Sequence, residues 1–398
     1  MIRKNTVIIT LVVAVFLIAG VFAVVHFRKP PSPVGALIPH DAGTALFLES
    51  ELFTHPVSSL FVKEIMQDQD LATVFFSGVP SSRGSFFLGD TGWVILSETE
   101  LTTPLLHHDT VNGVFVYAEK EEGIDVVRKR AGKVGDVESS YRSFVRFDWH
   151  GVPALSEKDA GPVAAEIFAD GTSLLTTFTT SIDALLPDVA FLSFIPPRGT
   201  VGIPITAPIG DNLGSLLGYA IAFFGSQPQG VVVMSMPSSD VSAVTLLWPK
   251  SGAVSPNFAE EQVVQLAERL ADQFPRAVPQ TLPDGSTAQI LMRDKNQFKP
   301  TTLDGGAVAT LSVGTDTLAI SSVLHGRTSW VVVGNTLGLV RGVRESLKRL
   351  GQSDQCASLP DRTRMVFHLE SGLIGAIDAN GKHAVFCSVV IPAKAGIQ

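Results

Sequence analysis

The sequence has little charge and no concentration of basic residues. Charged residues make up 17% of the 398-residue chain, and its formal net charge is −8. Without a basic stripe, nothing in the sequence indicates nucleic-acid binding. An acidic chain also lacks the electrostatic attraction that holds basic proteins on anionic lipid. Because hydrophobic residues make up 45% of the chain, we expect packed cores and not a disordered polymer.

Cysteine is nearly absent, since the chain has only Cys356 and Cys387. Two cysteines do not make a zinc site by themselves. In an oxidising compartment the two could form a disulfide, while two unpaired thiols are an equally good interpretation. The sequence therefore leaves their pairing open.

The sequence also lacks the motifs that mark common enzymes and cofactor-binding proteins. It has no G-x-S-x-G elbow, H-E-x-x-H, P-loop or G-x-G-x-x-G in a suitable context. We therefore predict no catalytic, cofactor-binding or metal-binding residues and no cofactor, and an enzyme is the less favoured interpretation.

The densest group of possible metal ligands is His107-His108-Asp109. Imidazole and carboxylate groups bind transition metals, but adjacent residues of a strand point to opposite faces, so the histidines would not share one ion. We interpret the segment between Pro104 and Val111 as a polar loop. Asp148-Trp149-His150 is interpreted as the end of a strand, not as an acid–base pair.

A long uncharged run lies near the N-terminus. Val7–Val25 contains one polar residue, Thr10, and is just long enough to cross a hydrocarbon core as a helix. We predict a short tail over 1–6, a transmembrane signal anchor over 7–27 and a proline-rich spacer over 28–36.

The topology of this anchor follows from its flanks. Basic residues flank both ends equally, but the short tail favours an N-terminus in the cytoplasm. A cleaved signal peptide is the alternative, although no small-x-small cleavage site follows the apolar run. The sequence therefore predicts a single-pass cell-membrane protein whose bulk is extracytoplasmic.

Short features recur at one fixed offset along the chain. Ile38-Pro39 and Ile195-Pro196 each precede a Gly-Thr pair and an apolar run, and Pro80-Ser81-Ser82 and Pro237-Ser238-Ser239 recur at the same offset. Such self-similarity indicates a duplicated domain. The alternative is two unrelated halves that share common turn chemistry.

The runs beside these features extend the match. Val74-Phe75-Phe76 and Val231-Val232-Val233 are each predicted to be a buried strand that ends in the Pro-Ser-Ser turn. At the same offset, Leu174–Thr179 and Val331–Thr336 are each predicted to be a strand running into a residue that can cap a helix.

The remaining patterns predict an α+β fold with mostly antiparallel sheets, because short strand-like runs dominate and helices are occasional. The further predicted strands are Ser85–Leu88, Trp93–Leu96, Val114–Tyr117, Val308–Val313 and Leu318–Val323, and Gly89–Gly92 and Asp304–Gly306 are predicted turns. The predicted helices are Val57–Met66, Glu119–Val134, Leu213–Phe224, Ser255–Phe274 and Leu339–Leu350.

Two of these helices bear on function. Leu213–Phe224 is very hydrophobic but too short to span a membrane, so we predict a core helix, capped by Asp211-Asn212. The basic residues of Leu339–Leu350 are interpreted as a solvated face and not as a binding patch; they are Arg341, Arg344, Lys348 and Arg349. The clearest helix, Ser255–Phe274, places Val263, Leu266 and Phe274 on one apolar face.

The end of the chain resembles the start of a third copy. Leu359-Pro360 is followed by a strand-like run and then by Glu370-Ser371, as Ile38-Pro39 is followed by Glu49-Ser50. Too few residues remain for a whole domain. We therefore predict that 352–398 is a truncated third repeat start and C-terminal remnant, which could be poorly ordered.

These features predict two tandem α+β repeat domains, over 37–190 and 191–351. The Leu/Ile-Pro opener, the strand before a small-polar turn and the late strand-Thr-helix resemble a family of bacterial membrane-anchored envelope proteins with a repeated extracytoplasmic domain of unknown function. The resemblance covers about residues 36–351. It implies a compartment and a general architecture, but no activity and no catalytic residues.

The favoured hypothesis is a structural or interaction protein of the envelope, whose edge strands could accept a strand of an envelope protein partner. The alternative is a tethered ligand-binding or sensing protein with a cleft between its domains. An envelope hydrolase with residues scattered in sequence is the third hypothesis.

Overall fold

The computed structural model describes residues 32–39, 42–103, 106–131, 143–147, 163–179, 186, 188–205, 215–225, 230–235, 243–250, 252, 254–294, 297–349, 356 and 358–388. The described residues up to Phe168 form one compact unit, and those from Ala169 onward form a second. The predicted anchor over 7–27 lies outside the described residues. No helix within them is long and apolar enough to cross a membrane.

The first unit is an antiparallel sheet with helices on both faces. Its strands are β1 (Thr44–Leu48), β2 (Arg83–Phe87), β3 (Trp93–Ser97), β4 (His107–Val111), β5 (Val114–Ala118), β6 (Phe144–Phe147) and β7 (Val163–Asp170). Its helices are α1 (Ser50–Phe53), α2 (Ser58–Met66), α3 (Gln69–Phe75) and α4 (Glu121–Ala131). The strands pair in the order β7-β6-β1-β2-β3-β5-β4.

Because side chains alternate along each strand, the core of the first unit has two parts, one on each face of the sheet. Phe47 of β1 and Val94 of β3 face α4, where they pack with Ile124 and Val127. Arg83 of β2 lies on the opposite face, where its guanidinium stacks on the ring of Phe53 in α1.

The second unit contains a longer antiparallel sheet and a separate two-stranded hairpin over 276–292. Its strands are β8 (Ser173–Phe178), β9 (Phe191–Leu192), β10 (Thr200–Pro204), β11 (Val231–Ser235), β12 (Val244–Lys250), β13 (Arg276–Thr281), β14 (Thr287–Met292), β15 (Pro300–Leu303), β16 (Val308–Val313), β17 (Asp316–His325), β18 (Thr328–Gly334), β19 (Arg362–His368), β20 (Leu373–Asp378) and β21 (His383–Ser388). Its helices are α5 (Ser215–Phe224), α6 (Phe258–Gln273) and α7 (Leu337–Lys348).

The strands of this sheet pair in the order β8-β21-β20-β19-β10-β11-β12-β18-β17-β16-β15, and β9 also pairs with β19. α5 and α6 cover one face, where Leu217 and Leu266 belong to the same buried cluster as Leu246. α7 covers the other face, where Val340 and Val343 pack in the same cluster as β11 and β18.

The two units share an order of strand pairing. In the first, β1 pairs with β2 and β6, β2 with β3, β3 with β5, and β5 with β4. In the second, β10 pairs with β11 and β19, β11 with β12, β12 with β18, and β18 with β17. α4 follows β5 as α7 follows β18.

Most predicted elements are confirmed with small shifts of their ends. Val308–Val313 has the predicted bounds, and Ser85–Leu88 is observed one or two residues earlier, as Arg83–Phe87. The helix predicted over Ser255–Phe274 spans Phe258–Gln273. Its Phe274 is exposed and not part of the buried face, so that part of the prediction is wrong.

Two parts of the predicted repeat match are wrong. Val74-Phe75-Phe76 is not a strand, because α3 runs from Gln69 through Phe75. Asp68 caps this helix, since its side chain accepts hydrogen bonds from two backbone N–H groups of the first turn. Leu174–Phe178 belongs to β8, which pairs with β21, whereas Val331–Gly334 belongs to β18, which pairs with β12 and β17. These two strands therefore occupy different positions in the pairing order.

The C-terminal segment is integrated into the second unit. Within 352–398, residues 362–388 form β19, β20 and β21, and β19 pairs with β10. Cys356 and Cys387 form a disulfide that attaches residues before β19 to β21. The expectation of poor order is therefore wrong for 362–388, because backbone hydrogen bonds of a central strand depend on this segment.

Candidate interaction surface

A large segment distinguishes the second unit from the first. Residues 98–106 connect β3 to β4, whereas residues 251–315 separate β12 from β17. This longer segment contains α6, the β13–β14 hairpin and β15–β16. The second unit therefore carries elements that have no counterpart between β3 and β4.

Among the described residues, β13 and β14 pair only with each other. Asp284 stabilises the tip of this hairpin, where its carboxylate accepts hydrogen bonds from the N–H and hydroxyl of Ser286 at 3.0 and 2.6 Å. The hydroxyl hydrogen bond holds the pKa of Asp284 below its usual value. Isolated two-stranded hairpins are marginally stable in water, so this one gains from a further contact.

The hydrogen-bond pattern determines which backbone groups point away from the hairpin. The N–H of Leu282 donates to the carbonyl of Ser286 at 2.8 Å. Bonded and non-bonded pairs alternate along an antiparallel ladder, so Pro279 and Gln289 form a non-bonded pair. Pro279 fits there because it has no N–H to donate.

The two outer edges of the hairpin therefore differ. On β13, Pro279 removes the central outward donor, which protects that edge from strand addition. On β14, Thr287, Gln289 and Leu291 all direct an intact N–H and C=O outward. β14 contains no charge, proline or glycine, the composition that favours pairing with another strand.

Apolar side chains are exposed on and beside the hairpin. Leu291 is 67% exposed, and Ile290, Met292 and Leu282 are also exposed. At the base of the hairpin, the exposed rings of Tyr219 and Phe274 meet edge to face, with 5.2 Å between their centroids. Exposed apolar groups concentrated in one region mark interaction sites.

A shallow depression of about 260 Å³ is a second candidate site within the second unit. It is lined by Phe191, Leu192, Pro249, Thr328, Trp330 and Arg362. The indole N–H of Trp330 is buried and has no hydrogen-bond partner among the described residues. The guanidinium of Arg362 donates to the carbonyl of Ala190.

His368 is a buried titratable group of the second unit. Its Nδ1 lies 3.0 Å from the carbonyl oxygen of Pro196, so Nδ1–H donates and Nε2 is left without a partner among the described residues. Burial lowers the pKa of His368, and the positive charge of Arg198 lowers it further, while the Pro196 hydrogen bond and Glu370 oppose this shift.

The structure places the predicted ligand group on an edge strand. His107-His108-Asp109 belongs to β4, so the prediction of a loop is wrong; pairing with β5 extends the segment. Asp109 pairs with Arg128 of α4 at 2.6 Å, and this hydrogen-bonded contact lowers the pKa of Asp109. Within the described residues, no group of three His, Cys, Asp or Glu side chains could hold a metal.

The other predicted polar features have separate locations. Asp148-Trp149-His150 and Asp211-Asn212 lie outside the described residues. On α7, Arg341 makes a bidentate hydrogen bond to Asp304 at 2.8 Å, which lowers the pKa of Asp304. Lys348 pairs with Glu345, so part of the basic face is neutralised within the unit.

The hairpin was missed in the sequence, although a signal for it exists. Pro283-Asp284-Gly285 is a strong turn sequence, and the uncharged Thr287–Met292 follows it. The sequence does not indicate that both strands are exposed, because the same alternation of side chains also suits a strand within a larger sheet.

Compared with known proteins, the chain matches no protein-family model, no curated protein and no solved structure.

Proposed function

We propose that this chain is a single-pass, membrane-anchored protein that acts outside the cytoplasm as a structural or interaction protein. The observation that carries the proposal is the β13–β14 hairpin, whose β14 edge pairs with no other strand among the described residues and whose Leu291 is exposed. Strand addition supplies affinity through the backbone, and the exposed side chains supply specificity.

Two observations support the compartment and the architecture. The Cys356–Cys387 disulfide is typical of an oxidising, extracytoplasmic environment, consistent with an anchor over 7–27. The shared order of strand pairing supports two α+β units related by duplication, as in the envelope family that the sequence resembles. Fusion reporters placed after residue 388 would test the topology; activity of a cytoplasm-specific reporter would contradict it.

Site-specific photo-crosslinking in native membranes tests the interaction. A photoreactive amino acid replaces Leu291 in the full-length chain, and the matched control replaces Leu324, which is also 67% exposed and lies on another strand of the second unit. We expect a discrete protein adduct from position 291 and none from position 324. Equal adducts, or no adduct at either position, would contradict the proposal.

A tethered ligand-binding protein is the second candidate, favoured by the depression beside Trp330. Arg362, which lines the depression, would favour an anionic ligand, and the ring of Trp330 would contact its apolar part. Thermal-shift screening with small carboxylates should give a stabilising compound whose effect is lost in Arg362→Gln, which removes the positive charge. A stabilisation unchanged by Arg362→Gln would contradict a site at this depression.

A further inference from the structure

We propose that the partner of the β14 edge is β14 of a second copy of this chain. This inference rests on the proposed interaction function and specifies its partner. The two strands run antiparallel about a twofold axis at Gln289, which extends two hairpins into a continuous four-stranded sheet.

The outward backbone groups fix this register. Residues that direct N–H and C=O outward form the bonded pairs of an antiparallel ladder, and on β14 these are Thr287, Gln289 and Leu291. With the axis at Gln289, this residue pairs with its own copy, and each Thr287 pairs with Leu291 of the other chain. All three outward positions then have partners.

The side chains and charges of β14 suit pairing with an identical strand. No charged residue lies within Thr287–Met292, so the two β14 strands meet without like-charge repulsion along their length. Beyond the strand, the register places Asp294 opposite Asp284 of the other chain, and Arg276 of the same hairpin, 3.6 Å from Asp294, offsets the repulsion between these carboxylates. Arg293 pairs with Asp272 of its own chain.

The two edges of the hairpin explain why assembly would stop at a dimer. Twofold pairing uses the same edge of both copies and closes on itself. The edge that remains free belongs to β13, where Pro279 lacks the central donor. Further addition of hairpins is therefore blocked, and a closed pair forms in place of a fibre.

Disulfide crosslinking of Gln289→Cys tests the pairing in native membranes with the full-length chain. The two Cα atoms of a bonded antiparallel pair lie about 5.5 Å apart, within the range for a disulfide. Gln280→Cys is the matched control, because this residue is on β13 and its two copies would be separated by about three strand spacings of 4.8 Å. The native cysteines are already paired with each other.

We expect mild oxidation to produce a linked dimer of Gln289→Cys and none of Gln280→Cys. A proline substitution then distinguishes a disulfide formed between paired strands from one formed by random collision of two chains. Thr287→Pro removes an outward N–H and should reduce the dimer about tenfold, since two backbone hydrogen bonds are lost across the pair. Thr281→Pro, at the cross-strand partner position, removes an outward N–H from the other edge and should leave the dimer unchanged.

Two results would overturn self-pairing: no dimer of Gln289→Cys, or a dimer that Thr287→Pro does not weaken. The photo-crosslink at position 291 separates this failure from failure of the proposed function. An adduct with a different protein would refute the second copy as partner and retain the interaction function. No adduct of either kind would refute both.

Discussion

At the residue scale, Arg83 connects the sheet of the first unit to its helical segment. Its guanidinium is fully buried, donates to the carbonyls of Phe75 and Val79, and lies 4.5 Å from the ring centre of Phe53. Burial lowers the pKa of Arg83 to about 10, so the side chain is still a cation at neutral pH. A positive charge and donors suit the carbonyls at the end of α3.

Arg83→Met should destabilise the first unit by about 1–3 kcal/mol, because it leaves the buried Phe75 carbonyl without its donor. The measurement is urea unfolding of the purified protein. Arg128→Met is the control, since this arginine is exposed and forms a surface ion pair, and we expect little change from it. Equal midpoints for the two variants would contradict the assigned role.

His368 makes the unfolding free energy depend on pH in a direction that can be predicted. Its pKa is lowered in the folded protein, so the unfolded chain binds a proton first as the pH falls through about 6.5. The group therefore contributes most stability above this pH, and the contribution decreases under acid. Between pH 7.5 and 5.5, wild type should lose more unfolding free energy than His368→Asn, which can keep a donor to Pro196; parallel pH profiles would disprove this.

At the element scale, the two faces of α6 differ in their contribution to stability. Leu266 is 2% exposed and packs in the core, whereas Val264 is 39% exposed. Leu266→Ala should cost about 2–5 kcal/mol because it creates a cavity. Val264→Ala should stay within about 0.5 kcal/mol. Urea midpoints measured in parallel test this, and comparable losses would show that the helix packs differently.

Element types were predictable where one local pattern dominated, as in α6 with its apolar periodicity and Val308–Val313 with its continuous β-prone run. Val74–Phe76 was mistaken for a strand because apolar β-prone residues also suit a buried helix. The decisive signal was Asp68, which caps the helix from outside the apolar run. His107–Val111 was mistaken for a loop because a polar edge strand depends on pairing with β5.

At the scale of the whole molecule, the disulfide closes a long loop in the second unit. Cys356 and Cys387 are 31 residues apart, so the chain-entropy model gives about 3–4 kcal/mol of stabilisation. The double variant Cys356→Ser/Cys387→Ser should lower the unfolding free energy by this amount. Reductant should weaken wild type similarly and leave the double variant unchanged. Equal stabilities of wild type and double variant would contradict the prediction.

The sequence by itself determined the α+β class, the antiparallel character and most individual elements, because hydrophobic periodicity and turn residues act over a few neighbouring positions. It also indicated a repeat through the proline and Gly-Thr residues before β1 and β10. The pairing of β10 with β19 joins distant parts of the chain and was decided only by tertiary structure. The same holds for the outer edge of β14, which has no partner strand in the described part of the chain: a strand's own residues favour extension, but only packing determines which of its backbone groups find partners.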